Sequence, residues 1–385
     1  MRPPLLASLL VALAVGVPTL ARGDDPAAAV QLLEKFQCAR CHDGLPGRAF
    51  LTDKHCVKCH QQILGGTFVA PPETLRRWQK NLHSINVAPS LGGSLLRREW
   101  LVAYLLTPYD LRPHLPATMP RLPITEAEAR AIAELIVRVP PAEAQLKPGD
   151  PSRGRALFDK LACAGCHRFT GSAVDRAPPP SSPLAPAQIL APDLRHARDR
   201  LSGLAIVQWL LDPPSAKPGT LMPKLPLGEQ DAMDLALFVL GTPLQPPSLP
   251  PLQRLPVLKR RVAWDEVNDK VFRRTCWHCH SQPDYALGDG GPGNTGGFGF
   301  APRGLDLATA TGASSGAFDE HGTRQSIFRP LGDGTPRLLG ALLARHAEER
   351  GRINPEIRGM PLGLPALSPE QLQLVESWIA QGRPR

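Results

Sequence analysis

Cys38-Ala-Arg-Cys41-His42, Cys56-Val-Lys-Cys59-His60, Cys163-Ala-Gly-Cys166-His167 and Cys276-Trp-His-Cys279-His280 use every cysteine of the 385-residue chain. Eight cysteines form four C-x-x-C-H sites, with none left over. Histidine fills 11 of 385 positions, so composition alone would put one behind all four pairs about once in a million chains. A C-x-x-C pair can be half of a zinc site or a thioredoxin-like redox pair, followed by histidine through accident. A disulfide framework fits worse, because a chain of this length needs no such staples. The spacing suits covalent c-type haem: two thiols add to two vinyl groups, and the next histidine turns its imidazole to the iron. Four haems are therefore expected, on Cys38 and Cys41, Cys56 and Cys59, Cys163 and Cys166, and Cys276 and Cys279. His42, His60, His167 and His280 are their proximal ligands.

The N-terminus fits that chemistry. Residues 1–23 open with Met1-Arg2, run through an apolar stretch from Leu5 to Leu20 and end at Ala21-Arg22-Gly23, the pattern of a Sec-type signal peptide. The apolar run is short for a spanning helix and contains Pro18. An uncleaved anchor is the alternative reading. The expected location is periplasmic or otherwise extracytoplasmic, with no integral membrane segment after cleavage.

The formal charge of +9 and a pI of 9.4 would ordinarily suggest a nucleic-acid or membrane binder. Loss of Arg2 and Arg22 with the leader leaves about +7, and eight haem propionates bring the loaded protein to about −1. No nucleic-acid partner is expected. Basic runs such as Lys259-Arg260-Arg261 read as propionate partners or a docking face.

Proline, at 44 of 385 residues, is densest at 139–151 and 241–251, which marks two linkers. They divide the mature chain into units at 24–143, 150–243 and 258–385, each of ordinary domain size. Every unit repeats one order: a helix, C-x-x-C-H, an irregular stretch, Met-Pro, and a final helix. Asp150-Pro151 supplies a cap and an N1 proline in the second unit. Thr125 with Glu128, and Ser368 with Gln371, are capping boxes before the last helices of the first and third. Gly291-Pro-Gly293-Asn-Thr-Gly296 matches a dinucleotide fingerprint, but no apolar strand precedes it, so it reads as a glycine-rich loop.

Each unit resembles the small all-helical cytochrome c domain of the monohaem, Met/His-ligated type, and the chain as a whole resembles a multidomain, tetrahaem member of that class. Ala191-Pro-Asp-Leu194 and Ala88-Pro-Ser-Leu91 are similar to the family segment whose proline carbonyl steadies the proximal histidine. Met360-Pro-Leu-Gly through Trp378-Ile379 is similar to the end of terminal cytochrome c modules. The resemblance implies an all-α fold of three tandem domains, the first dihaem, with the helix before each C-x-x-C-H packed across the final helix. It also implies a late-loop methionine as sixth ligand. Met119, Met222 and Met360 all precede proline and fit that role, whereas Met233 lies among Leu235, Leu237 and Phe238 and reads as core.

Three methionines cannot serve four irons. The span from Cys38 to Met119 is 22 residues longer than that from Cys163 to Met222, as if Cys56–His60 were an insertion. The rival register aligns Gly47-Arg-Ala with Gly154-Arg-Ala and gives Met119 to the Cys56 motif instead. The first is preferred because residues 26–37 make the longer, better-capped helix. His83, at the end of a helix expected over 73–83, is the first choice for the remaining sixth ligand, with His55 and His114 as alternatives.

These features point to an electron carrier rather than an enzyme, with redox proteins as partners. The alternatives are a haem peroxidase or related oxidoreductase with one open iron at His60, and a cytochrome subunit of a larger dehydrogenase or reductase complex.

Overall fold

Proline and capping residues set the helix starts. The computed structural model describes residues 26–47, 55–82, 85–92, 94–115, 119–137, 146–177, 185–246, 251–277, 279–281, 287–288, 291–292, 304–319 and 321–385. The leader at 1–23, most of the glycine-rich stretch and His83 lie outside them.

The chain is helix-rich. Its first part carries α1 (Pro26–Lys35), α2 (Cys56–Leu64), α3 (Pro72–Asn81), α4 (Arg98–Leu106) and α5 (Glu126–Ile136). The middle carries α6 (Pro151–Lys160), α7 (Ala185–Leu190), α8 (Ala197–Arg200), α9 (Gly203–Leu211), α10 (Pro213–Ala216) and α11 (Glu229–Gly241). The last part carries α12 (Trp264–Val267), α13 (Ala310–Ser315), α14 (Arg337–Glu348) and α15 (Pro369–Ala380). Two antiparallel pairs of two-residue strands also occur there: β1 (Leu287–Gly288) with β2 (Gly291–Pro292), and β3 (Ala317–Phe318) with β4 (Arg324–Gln325).

The caps form as read. Asp150 accepts from Ser152 N at 2.8 Å, and both capping boxes, Thr125 with Glu128 and Ser368 with Gln371, close reciprocally. Two boundaries differ from expectation. The helix expected to reach residue 83 ends at Asn81, and α12 runs on as a π-helical segment, Asn268–Cys276, up to the fourth motif.

The helix before the first cysteine packs on the last helix of its segment, α1 on α5 and α6 on α11. The repeat is visible in the buried positions. Nine residues before that cysteine stand Ala29, Gly154 and Val267, and five before it Leu33, Phe158 and Val271; all six are buried. Burying one such large apolar side chain stabilises by about 1.5–3 kcal/mol. Gly154 is required by the crossing: a Cβ there would lie 2.0 Å from the Asp234 carbonyl oxygen. Gly47, its counterpart in the rival register, has φ +108° and lies in a bend, so the helical equivalence with Gly154 does not extend to it.

Three main hydrophobic clusters result. One joins Leu33 and Phe36 to Leu101, Ile132 and Met119. The second is built on Phe158, Phe169 and Phe238, and the third on Trp264, Phe272 and Trp378. A small fourth cluster of Cys59, Ile63, Trp78 and Leu82 holds α2 to α3.

Segments 26–137 and 146–246 touch along one seam. Arg97 N donates to Arg200 O at 2.7 Å and Asp193 N to Leu111 O at 3.0 Å. The Arg112 side chain donates to Leu190 O at 3.0 Å, and the Tyr109 and His196 rings lie 4.7 Å apart.

Candidate functional site

Two of the four motifs begin with the same backbone fault. Gln37 (φ 51°, ψ 40°) and Ala162 (φ 53°, ψ 40°) leave the right-handed helix for the left-handed region, and a single 3₁₀ turn follows over Cys38–Arg40 and Cys163–Gly165. Non-glycine residues adopt that conformation at a cost of roughly 1–2 kcal/mol, so the surroundings must hold it. The turn brings the histidine back over the first cysteine: His42 N donates to Cys38 O at 3.1 Å and His167 N to Cys163 O at 3.0 Å; in the fourth motif, which lacks that turn, His280 N donates to Cys276 O at 2.9 Å. The second motif is different, because Cys56 to His60 lies inside α2, capped by His55.

The imidazoles are oriented from behind. His42 Nδ1 is 2.8 Å from Pro89 O, His167 Nδ1 is 2.8 Å from Pro192 O and His60 Nδ1 is 3.1 Å from Ile85 O. A hydrogen bond from Nδ1–H to a carbonyl fixes the tautomer and leaves Nε2 with its lone pair for a metal. Pro89 and Pro192 lie in the two Ala-Pro segments. Ile85 has no such sequence signal and reaches His60 through a positive φ of 54°. His280 Nδ1 is buried with no partner among the described residues. Burial lowers the pKa of His42 and of His280 to about 4, and lowers that of His167. These imidazoles are therefore neutral at pH 7, the form that binds iron.

All eight cysteines are free thiols. Burial raises Cys38, Cys163 and Cys279 to about 11 and Cys276 to about 12. Cys41 and Cys56 hydrogen-bond one another, which raises the first and lowers the second to about 7. Among the described residues no three His, Cys, Asp or Glu side chains converge as a metal site. The first two motifs are also tied by charge: Lys58 Nζ lies 2.9 Å from Asp43 Oδ1, and His55 Nε2 3.6 Å from the same oxygen.

Cys38, Cys41, His42 and Met119 line one apolar cavity, with Leu101, Leu105, Ile132 and Ile136 on its walls. The structure thus places Met119 and His42 on one cavity. Met360 packs on the same cluster as Cys276; Met360 N donates to Ala341 O at 2.9 Å, and the Met360–Pro361 peptide is cis. Met222 is half-buried on the loop after α10, and Trp209 Nε1 donates to its sulfur at 3.0 Å. Met233 is core, 3% exposed among Ala232, Leu235 and Phe238.

Around Cys59 the small cluster contains no methionine among the described residues. Of the histidines considered there, His83 lies outside the described residues. His55 already accepts from Lys58 N at 3.3 Å through Nδ1 and faces Asp43 through Nε2. His114 Nε2 is buried with no partner among the described residues.

Sequence reasoning missed three cations. Arg112, Arg200 and Lys217 line the cavity of His42, and no periodicity or motif marks them. With apolar walls, neutral oriented imidazoles and paired thiols, the residues present fit a covalent haem.

Residues 151–243 match the family model described as Cytochrome c. No match is found among curated proteins or solved structures. The match makes residues 151–243 a cytochrome c domain, which supports a c-type cytochrome, implies covalently bound haem c for that domain and suggests haem-based electron transfer. Among the described residues no helix is long and apolar enough to cross a membrane.

Proposed function

We propose that this chain is an extracytoplasmic electron-transfer protein with four covalent c-type haems in three tandem cytochrome c-like domains, 24–143, 150–243 and 258–385. The observation that carries this reading is the repeated back-side hydrogen bond from a C-x-x-C-H imidazole to a backbone carbonyl, found at His42, His60 and His167. It is the arrangement that readies a histidine for iron.

When bound, a haem would supply one-electron redox chemistry. The chain supplies the rest. Cys38, Cys41, Cys56, Cys59, Cys163, Cys166, Cys276 and Cys279 would anchor the haems, and His42, His60, His167 and His280 would be their imidazole ligands. Met119, Met222 and Met360 would supply sulfur ligands to three of the irons, which would close them to substrate and favour high potentials. The Asp43–Lys58 pair and the Cys41–Cys56 contact favour close approach of the first two haems. Redox proteins are the partners, within a larger complex or free.

A second reading has its own support. The Cys59 cluster has no methionine among the described residues, which favours an exchangeable position at His60 and peroxidase-type chemistry there, unless His83 fills it.

Pyridine haemochrome and intact mass should give four haems per chain lacking its first 23 or so residues. Reduced protein should not bind carbon monoxide. Fewer than three haems would overturn the proposal, and stoichiometric carbon monoxide binding with peroxide turnover would replace it with the enzyme reading.

A further inference from the structure

The cavity that holds His42 and Met119 is walled on one side by residues of another segment. Arg200, at the end of α8, Trp209 on α9 and Lys217, just after α10, all belong to the stretch matched as a cytochrome c domain. With Arg112 from the first segment they place three cations around one apolar cleft. Arg200 is buried, at 8% exposure, and its Nε has no hydrogen-bond partner among the described residues. Its guanidinium stacks on Trp100 at 5.2 Å instead. Among the described residues, no carboxylate forms an ion pair with Arg112, Arg200 or Lys217.

That arrangement is unfavourable as it stands. Burial, with repulsion from the neighbouring cations, pushes Arg200 down to about 10 and Lys217 down to about 7, and burial lowers Arg112. Desolvating a charge without a counter-ion costs several kcal/mol, so a cleft built this way calls for anions. A haem bound at Cys38 and Cys41 brings two carboxylates to the same cleft.

Resting on the four-haem reading, we propose that Arg112, Arg200 and Lys217 form a carboxylate clamp for the propionates of the haem on Cys38 and Cys41. Two of its three cations come from the neighbouring cytochrome c domain. The clamp makes haem loading of the first domain hold the two domains together. It would also draw the propionates of that haem toward the domain of His167, across the seam. The Arg97–Arg200 and Leu111–Asp193 backbone bonds then serve to align the two halves of the clamp.

The test is a potential measured at the wrong domain. A cation beside a propionate disfavours the more positive ferric state, so removing it lowers the reduction potential of that haem. Lys217→Met should lower one wave in spectropotentiometric titration, and Lys217→Arg should leave it in place. In a Met119→His background, which displaces the wave of the His42 haem, adding Lys217→Met should move the displaced wave further. A shift in the wave that Met222→His displaces, or no shift at all, overturns the clamp. If Lys217→Met fails to accumulate, the unaltered reduced protein decides by NMR. Cross-relaxation between the Lys217 side chain and the propionate methylenes of the Cys38-linked haem is expected, and its absence overturns the proposal. A haem count below three would instead defeat the underlying four-haem reading.

Discussion

Glu348 joins two methionine loops, and removing it should loosen the hold proposed for Met360 on a haem iron. Its carboxylate is 7% exposed, accepts from Gly359 N at 2.8 Å and lies 3.6 Å from Arg121 Nη1. Gly359 precedes Met360, and Arg121 stands two residues after Met119. Arg121 also donates to Asn354 O at 3.0 Å, so the pair bridges the first and third segments. Breaking a fully buried ion pair costs about 3–5 kcal/mol. Here the Arg121 side chain is 20% exposed, and Arg345, which lies 4.0 Å from Glu348 Oε2, keeps Leu364 O at 2.6 Å and Glu349 at 3.7 Å. About 2 kcal/mol is therefore expected for Glu348→Ala. That corresponds to roughly a 30-fold larger population with the loop detached. The assay is the far-red ferric iron–thioether band followed on heating. About one third of its intensity, one haem of three, should melt well below the wild-type transition. If the whole band melts as in the wild type, Glu348 does not position Met360 and the reasoning fails.

Gly154→Ala would set a Cβ 2.0 Å from Asp234 O and 2.9 Å from Phe238 Cβ, so α6 and α11 must part. A loss of about 2–3 kcal/mol is expected, read as a lower urea midpoint at unchanged slope; an unmoved midpoint would contradict the crossing. Glu266 is held down to about 2, first by Arg260 at 2.7 and 2.9 Å and then by Lys270 at 2.8 Å. Because its folded value lies below its ordinary one of 4.5, its contribution is present above about pH 4.5 and lost as the pH falls toward 2. The pair is largely solvent-screened, so Glu266→Gln should remove no more than about 1 kcal/mol near pH 7, and less at high salt. Equal losses for mutant and wild type on acidification from pH 5 to 2 would count against this assignment.

Much of the site was legible because covalent haem chemistry writes itself as short, contiguous motifs. Cysteine spacing and the following histidine picked out the residues proposed as anchors and proximal bases, and Pro89 and Pro192 sat in recognisable Ala-Pro segments. Helix starts were equally local: Asp150, Thr125 and Ser368 cap by reaching the backbone two or three residues on, so their chemistry is complete within one turn. Ile85 was illegible for the opposite reason. It serves His60 with a backbone carbonyl, which any residue carries, and only the path of the chain between α3 and α4 delivers it.

The sequence by itself determined that helices precede the paired cysteines, that prolines divide the chain, and that Met119, Met222 and Met360 stand on breaks between helices. Only the tertiary structure decided that Met119 shares a cavity with His42, that Glu348 spans two methionine loops, and that Arg200 and Lys217 face a cleft belonging to their neighbour. Those contacts join positions about 80 to more than 200 residues apart, such as Arg112 with Leu190 and Arg121 with Asn354. Isolated cations leave no periodic trace along a chain. Their meaning comes from burial, and burial is set by packing between segments rather than within one.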